Sequence, residues 1–243
     1  MTSTTPQDSR VANALSAESS SIRLQAALAV GSGADADYTG LLIERCAIEP
    51  DFFVRDMLSW ALTRLPSETV LPRLHRELCS GGDQARSQAL HTLSKIGDKS
   101  AWPWITREML DDPDDGVART AWRTAVVLVP EDEKASLAED LARQLGRGDR
   151  GVQRSLSRAL IDLGEFAAPV LEKAAQSLDP RMAAHARATE LLRQDPESGF
   201  EAAISEARLM LTPGASSGKE PDAGMVGVES RVESVGVQET MDC

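Results

Sequence analysis

Three histidines, three cysteines and four tryptophans are the residues of this chain best suited to chemistry. His75, His91 and His185 stand too far apart to chelate a metal from one turn of helix, and no acidic or thiol cluster joins them. Cys46, Cys79 and Cys243 are odd in number and widely spaced. They make neither a disulfide framework nor a zinc pattern, which predicts a reduced, cytoplasmic protein. No serine occupies a strand–turn–helix elbow, and no glycine-rich loop cradles a phosphate. Asp111, Asp112, Asp114 and Asp115 fall in a turn, where capping of the following helix accounts for them. No catalytic residue, metal site or cofactor is therefore expected. What remains is basic and aromatic. Arg119 and Arg123, then Arg154 and Arg158, are each spaced four apart, so each pair shares one face of a helix.

Those arginines need helices to carry them, and the sequence is helical through its middle: Ala, Leu, Arg, Glu and Gln dominate it. An apolar residue opens a recurring segment at Ile22, Val54, Ala85, Val117, Val152 and Met182, every 30 to 35 residues. Four positions on stand Ala26, Leu58, Ala89, Ala121, Leu156 and Ala186, and further apolar columns follow at offsets eight and eleven. Such offsets line one helical face. Pro72, Pro103 and Pro169 mark the starts of intervening first helices, and Gly97 and Gly164 the ends of second ones. Cys46 and Cys79 fall on apolar faces of first helices, the place of buried, inert thiols. Neither helix of a pair can bury its face alone, so the pairs must stack. The expected fold is all-α, a right-handed αα-superhelix of about six helix pairs over residues 9–212. A flexible N-terminus (1–8) precedes it, and an acidic tail (213–243) follows. That tail has glycines interspersed among Val226, Val228, Val235 and Val237, and disorder is expected of it.

The stretch LSKIGDKSAWPWITREMLDDPDDGVARTAW, residues 93–122, resembles the E-Z type HEAT repeat of phycobilin lyase-like proteins: Ile-Gly-Asp, a first helix, an Asp-Pro-Asp turn, then Val-x-Arg-x-Ala. SIRLQAALAVG (21–31) and FVRDMLSWALTRLP (53–66) are similar to its second half. The resemblance implies that an arginine after the leading apolar residue braces adjacent repeats through an acidic partner. Arg23, Arg55 and Arg86 match that place. Ala118 and Gln153 occupy it in later units, which leaves Arg119 and Arg154, one position on, available for another task. Some HEAT-like hydroxylases bind iron through His-Glu dyads, but Arg76, Thr92 and Ala186 follow the histidines here, and nothing in the repeat spacing supplies a bilin pocket.

The chain carries 38 acidic and 26 basic residues, a net charge of −12. That balance opposes nucleic-acid binding, and no apolar run is long enough to span a membrane. MTSTTPQDSR at the N-terminus lacks the regions of a secretory signal. The expectation is a non-catalytic cytoplasmic scaffold that binds a protein partner on its concave face. Its binding residues are Trp60, Gln88, His91, Arg119, Arg123, Arg154 and Arg158, and its ligand is an acidic segment, for which the chain's own tail is one candidate. The alternative is a HEAT-like DNA-binding protein or DNA glycosylase, for which Asp56, Trp60, Trp122 and Arg123 would have to form a site.

Overall fold

The computed structural model describes residues 6–211, so the tail at 213–243 and most of the expected flexible N-terminus lie outside the described residues. The described residues form thirteen α-helices with short 3-10 turns and no strand. The second helices of the repeats are α2 (Ser20–Gly33), α4 (Phe52–Thr63), α6 (Asp83–Ile96), α8 (Asp115–Leu128), α10 (Arg150–Asp162) and α12 (Pro180–Gln194), and each packs on the next. Beside them run first helices: α1 (Pro6–Leu15), α3 (Thr39–Ile48), α5 (Ser67–Ser80), α7 (Arg107–Leu110), α9 (Lys134–Ala142) and α11 (Ala167–Ala175). A further helix, α13 (Phe200–Leu211), packs against α12. This is an all-α solenoid of stacked helix pairs.

Local chemistry sets the boundaries. Asp51, Asp114, Asp149 and Asp179 each precede a second helix and accept backbone N–H groups of its first turn. Gly97 closes α6 at φ 70°, a left-handed cap that a residue with a Cβ adopts only under strain. Two proline expectations need correction. The helix α5 begins at Ser67, so Pro72 lies inside it. Trp102, Pro103 and Trp104 belong to a 3-10 turn, Lys99–Trp104, ahead of a first helix of only four residues. Trp104 packs between repeats, stacked on His75 of α5 with centroids 4.5 Å apart.

The apolar columns are buried from α4 through α10: Val54, Leu58 and Leu62, then Ala85, Ala89 and Leu93, then Val117, Ala121 and Ala125, then Val152, Leu156 and Leu160. The first unit departs from the column. Ile22 is 49% exposed and Arg23 takes the inward place, because a buried carboxylate, Glu49, waits there. Cys46 is buried, and burial pushes its thiol up to about 12, which leaves it inert. Cys79 is exposed, contrary to expectation, since it sits one residue past Leu78, which takes the inward place.

Between successive second helices runs a polar seam that periodicity in apolar residues does not show. Thr92 Oγ1 lies 3.2 Å from Ser59 Oγ, Thr124 Oγ1 lies 2.9 Å from the Leu90 carbonyl, and Thr189 Oγ1 lies 2.7 Å from Ser157 Oγ. Each joins one helix to its predecessor at the same height, and all are buried. The last rung includes His185. The Gly146 N–H donates to its Nδ1 at 3.0 Å, so the proton resides on Nε2, which faces the Gln153 carbonyl at 3.0 Å. Burial holds this imidazole down to about 4, with the Arg150 charge adding to the effect against the opposing Gln153 carbonyl.

His185 is therefore neutral in the folded chain and free to protonate once unfolded. Stability is fully present above pH 6.5 and is lost as pH falls toward 4, by about 3 kcal/mol from this one group. Melting temperatures across that window should fall more steeply for the natural chain than for His185→Gln, which cannot titrate. Parallel curves would show that the imidazole reaches solvent.

Candidate functional site

The expected binding residues lie on successive second helices, and the structure separates them into distinct environments. Trp60 of α4 is half-buried, its ring against α2: a methyl group on Gly31 would lie 2.5 Å from Trp60 Cζ3. Glycine at position 31 permits that close approach. Gln88 of α6 turns inward, where it lines a small void of about 10 Å³ with Cys46, Leu62, Glu77 and Thr92, and its Oε1 is buried without a hydrogen-bond partner. His91, also on α6, faces Asp56 of α4 at 3.6 Å, and Lys95 meets the same carboxylate at 2.8 Å.

The four arginines divide in the same way. Arg154 of α10 reaches Glu201 of α13 at 3.2 Å and lies over the Phe200 ring; Arg150 approaches the same carboxylate at 3.9 Å. This end of the strip is neutralised. Arg119 and Arg123 of α8 are exposed, and among the described residues neither has a carboxylate within ion-pair distance. Arg119 donates from Nε to Ser155 Oγ on α10 at 2.9 Å, which fixes its direction and leaves its terminal nitrogens available. Arg123 makes one long contact, 3.4 Å to Thr120 Oγ1. Partial burial lowers its guanidinium from the ordinary value, and the Arg119 charge adds to that. Arg158 of α10 is exposed with Asp162 one turn on; burial raises that carboxyl while the Arg158 charge opposes it.

The paired arginines elsewhere sharpen the contrast. Arg23 binds Glu49 through two 2.7 Å hydrogen bonds. Arg86 bridges Asp83 and Asp112, which ties α6 to the turn before α8. Arg55 instead donates to the Glu49 and Pro50 carbonyls of its own turn. Arg147 pairs with Asp115 and lies over the Trp122 ring, 5.9 Å from its centroid. Trp122 itself is fully buried and donates Nε1–H to the Leu110 carbonyl at 2.9 Å, so it cannot meet a ligand beside Asp56, Trp60 and Arg123. The glycosylase-like site is thereby removed. Among the described residues no group of three or more His, Cys, Asp or Glu could hold a metal ion, and no helix is long and apolar enough to cross a membrane.

Helix pairs of this period, with aspartate caps on four of the six second helices and with Arg23 and Arg86 clamped to acidic groups of the next repeat, decide the architecture. They stack into an all-α solenoid. No protein-family model matches the sequence, and no curated protein matches it. Among solved structures, the complex of CpcE and CpcF of phycocyanin lyase from Nostoc sp. PCC7120 is similar, at 24% identity and a TM-score of 0.40 over 84% of this chain and 82% of that one. That neighbour is a lyase, and it corrects one expectation. With a phycocyanin lyase complex as the similar structure, the expectation of a non-catalytic scaffold that is not an enzyme is withdrawn.

Proposed function

We propose that the face carrying Arg119, Arg123 and Arg158 binds an acidic segment of a protein partner. The observation behind it is the exposed pair Arg119 and Arg123, which among the described residues have no carboxylate at ion-pair distance, on a chain whose net charge is −12. An acidic chain has carboxylates to spare, and it places them against Arg23, Arg45, Arg86, Arg147 and Arg154. Arg119 and Arg123 instead stand one turn apart and repel each other. A bound carboxylate pair relieves that repulsion and accepts the forked donors bidentately. The reading concerns recognition, and it holds for an enzyme subunit as for a passive one. Trp60 and Gln88 drop out of the proposed contact set, since one packs on α2 and the other lines the interior.

Charge reversal tests it. Arg123→Glu combined with Arg158→Glu should weaken binding of a fluorescent oligoglutamate peptide at least about tenfold at low salt, with the melting temperature unchanged because both side chains are exposed. Binding at natural strength by the double variant would make the strip ordinary solvated surface.

A further inference from the structure

The proposed strip is not uniform, and its α8 end is equipped for a more particular ligand than a run of carboxylates. At the α10 end Glu201 already occupies Arg150 and Arg154. At the α8 end two guanidinium groups stand on one helical turn, one of them held by Ser155. His91 holds the equivalent position on α6, which packs against α8, and the Arg123 charge lowers its imidazole. A single carboxylate has two oxygens and one charge, which satisfies one guanidinium and leaves the second repelled. A phosphate monoester has three terminal oxygens and close to two charges, which suits two guanidinium groups and an imidazole together.

Resting on the reading of this strip as an anion-binding face, we propose that Arg119, Arg123 and His91 form a seat for a phosphate monoester dianion. Nucleic-acid backbone is a poorer match, because each internal phosphate is a diester with one charge. The protonation of His91 reports occupancy. Its imidazole is lowered first by burial, then by Lys95 of its own helix and Arg123 of α8, while Asp56 of α4 opposes them. A dianion held beside Arg123 outweighs that cation and raises the imidazole again, so the ring takes up a proton as the ligand binds.

The full chain is titrated with inorganic phosphate and with an acidic peptide bearing one central phosphoserine. The same peptide with glutamate at that place, and a single-stranded oligonucleotide, serve as comparisons. The phosphoserine peptide should bind about tenfold more tightly than the glutamate peptide. Inorganic phosphate should move the His91 imidazole resonance toward the protonated position at fixed pH. Arg119→Gln with Arg123→Gln should abolish both effects without lowering the melting temperature, and Arg123→Lys, which keeps the charge and loses the fork, should recover only part of the preference. Equal affinity for the two peptides, or an oligonucleotide that binds more tightly than either, overturns the dianion seat. In the first case the acidic-segment reading stands, whereas failure of every anion to bind overturns both. If phosphate binds with the His91 resonance unmoved, the seat as drawn is wrong.

Discussion

Glu49→Ala is expected to destabilise the chain by about 4 kcal/mol, which lowers the melting temperature by on the order of 10 °C for a domain of this size. The Glu49 side chain is fully buried at the end of α3 and gathers more hydrogen bonds than any ordinary surface carboxylate. Arg23 donates Nε and a terminal nitrogen to it at 2.7 Å, Arg45 donates Nε at 2.7 Å, and the Asp51 N–H completes the set at 2.9 Å. Its backbone carbonyl accepts Arg55 from its own turn and Gln84 from the next repeat. Burial would raise the carboxyl, but these donors outweigh burial and hold it down to about 2. The stability it supplies is therefore present above pH 4.5 and lost as pH falls through about 2. Removing the carboxylate leaves buried guanidinium groups without a counter-charge, and that loss dominates the cost. Replacing Arg23 with Met in the same chain should recover part of it, since a buried pair exchanged for apolar side chains is close to neutral. Urea unfolding of the three proteins is the measurement. A change below about 1 kcal/mol for Glu49→Ala would show that solvent reaches the carboxylate.

Ala89→Asp is the second large effect. Ala89 is 2% exposed in the middle of α6, packed beside Cys46, Leu62 and Leu74 of three other helices. The neighbouring void holds only about 10 Å³, too little for a carboxylate and its water. An aspartate there must displace packed side chains and stay unpaired, at a cost of about 4 kcal/mol or more. Ala89→Ser, which adds one hydroxyl able to bond back along its own helix, should cost far less. Thermal unfolding followed by helicity distinguishes them, and equal melting temperatures for Ala89→Asp and the natural chain would mean the buried face is misplaced.

Most of the architecture was legible because one physical demand repeats along the chain. Each second helix must bury the same stripe, so Val54, Ala85, Val117 and Val152 recur in step, and Asp51, Asp114 and Asp149 recur as caps before three of them. Ile22 broke the pattern because an ion pair replaced a hydrophobic contact, and apolar periodicity carries no information about that. A weaker signal was present in the threonines: Thr92, Thr124 and Thr189 hold one position within their repeats, and a polar column at constant height marks the hydrogen-bonded seam.

The sequence alone determined which residues lie on each helical face, because the α-helix relates neighbours three and four apart without reference to the rest of the chain. Arg119 and Arg123 shared a face from that rule. Which arginines are neutralised was decided only by tertiary structure. Arg154 meets Glu201 across 47 positions, Arg23 meets Glu49 across 26, and Lys95 meets Asp56 across 39. A residue's electrostatic partner depends on the way helices from different repeats come side by side. The energy of a charge falls off over a few ångströms, so one residue of helix register decides whether a guanidinium is paired or left exposed for a ligand.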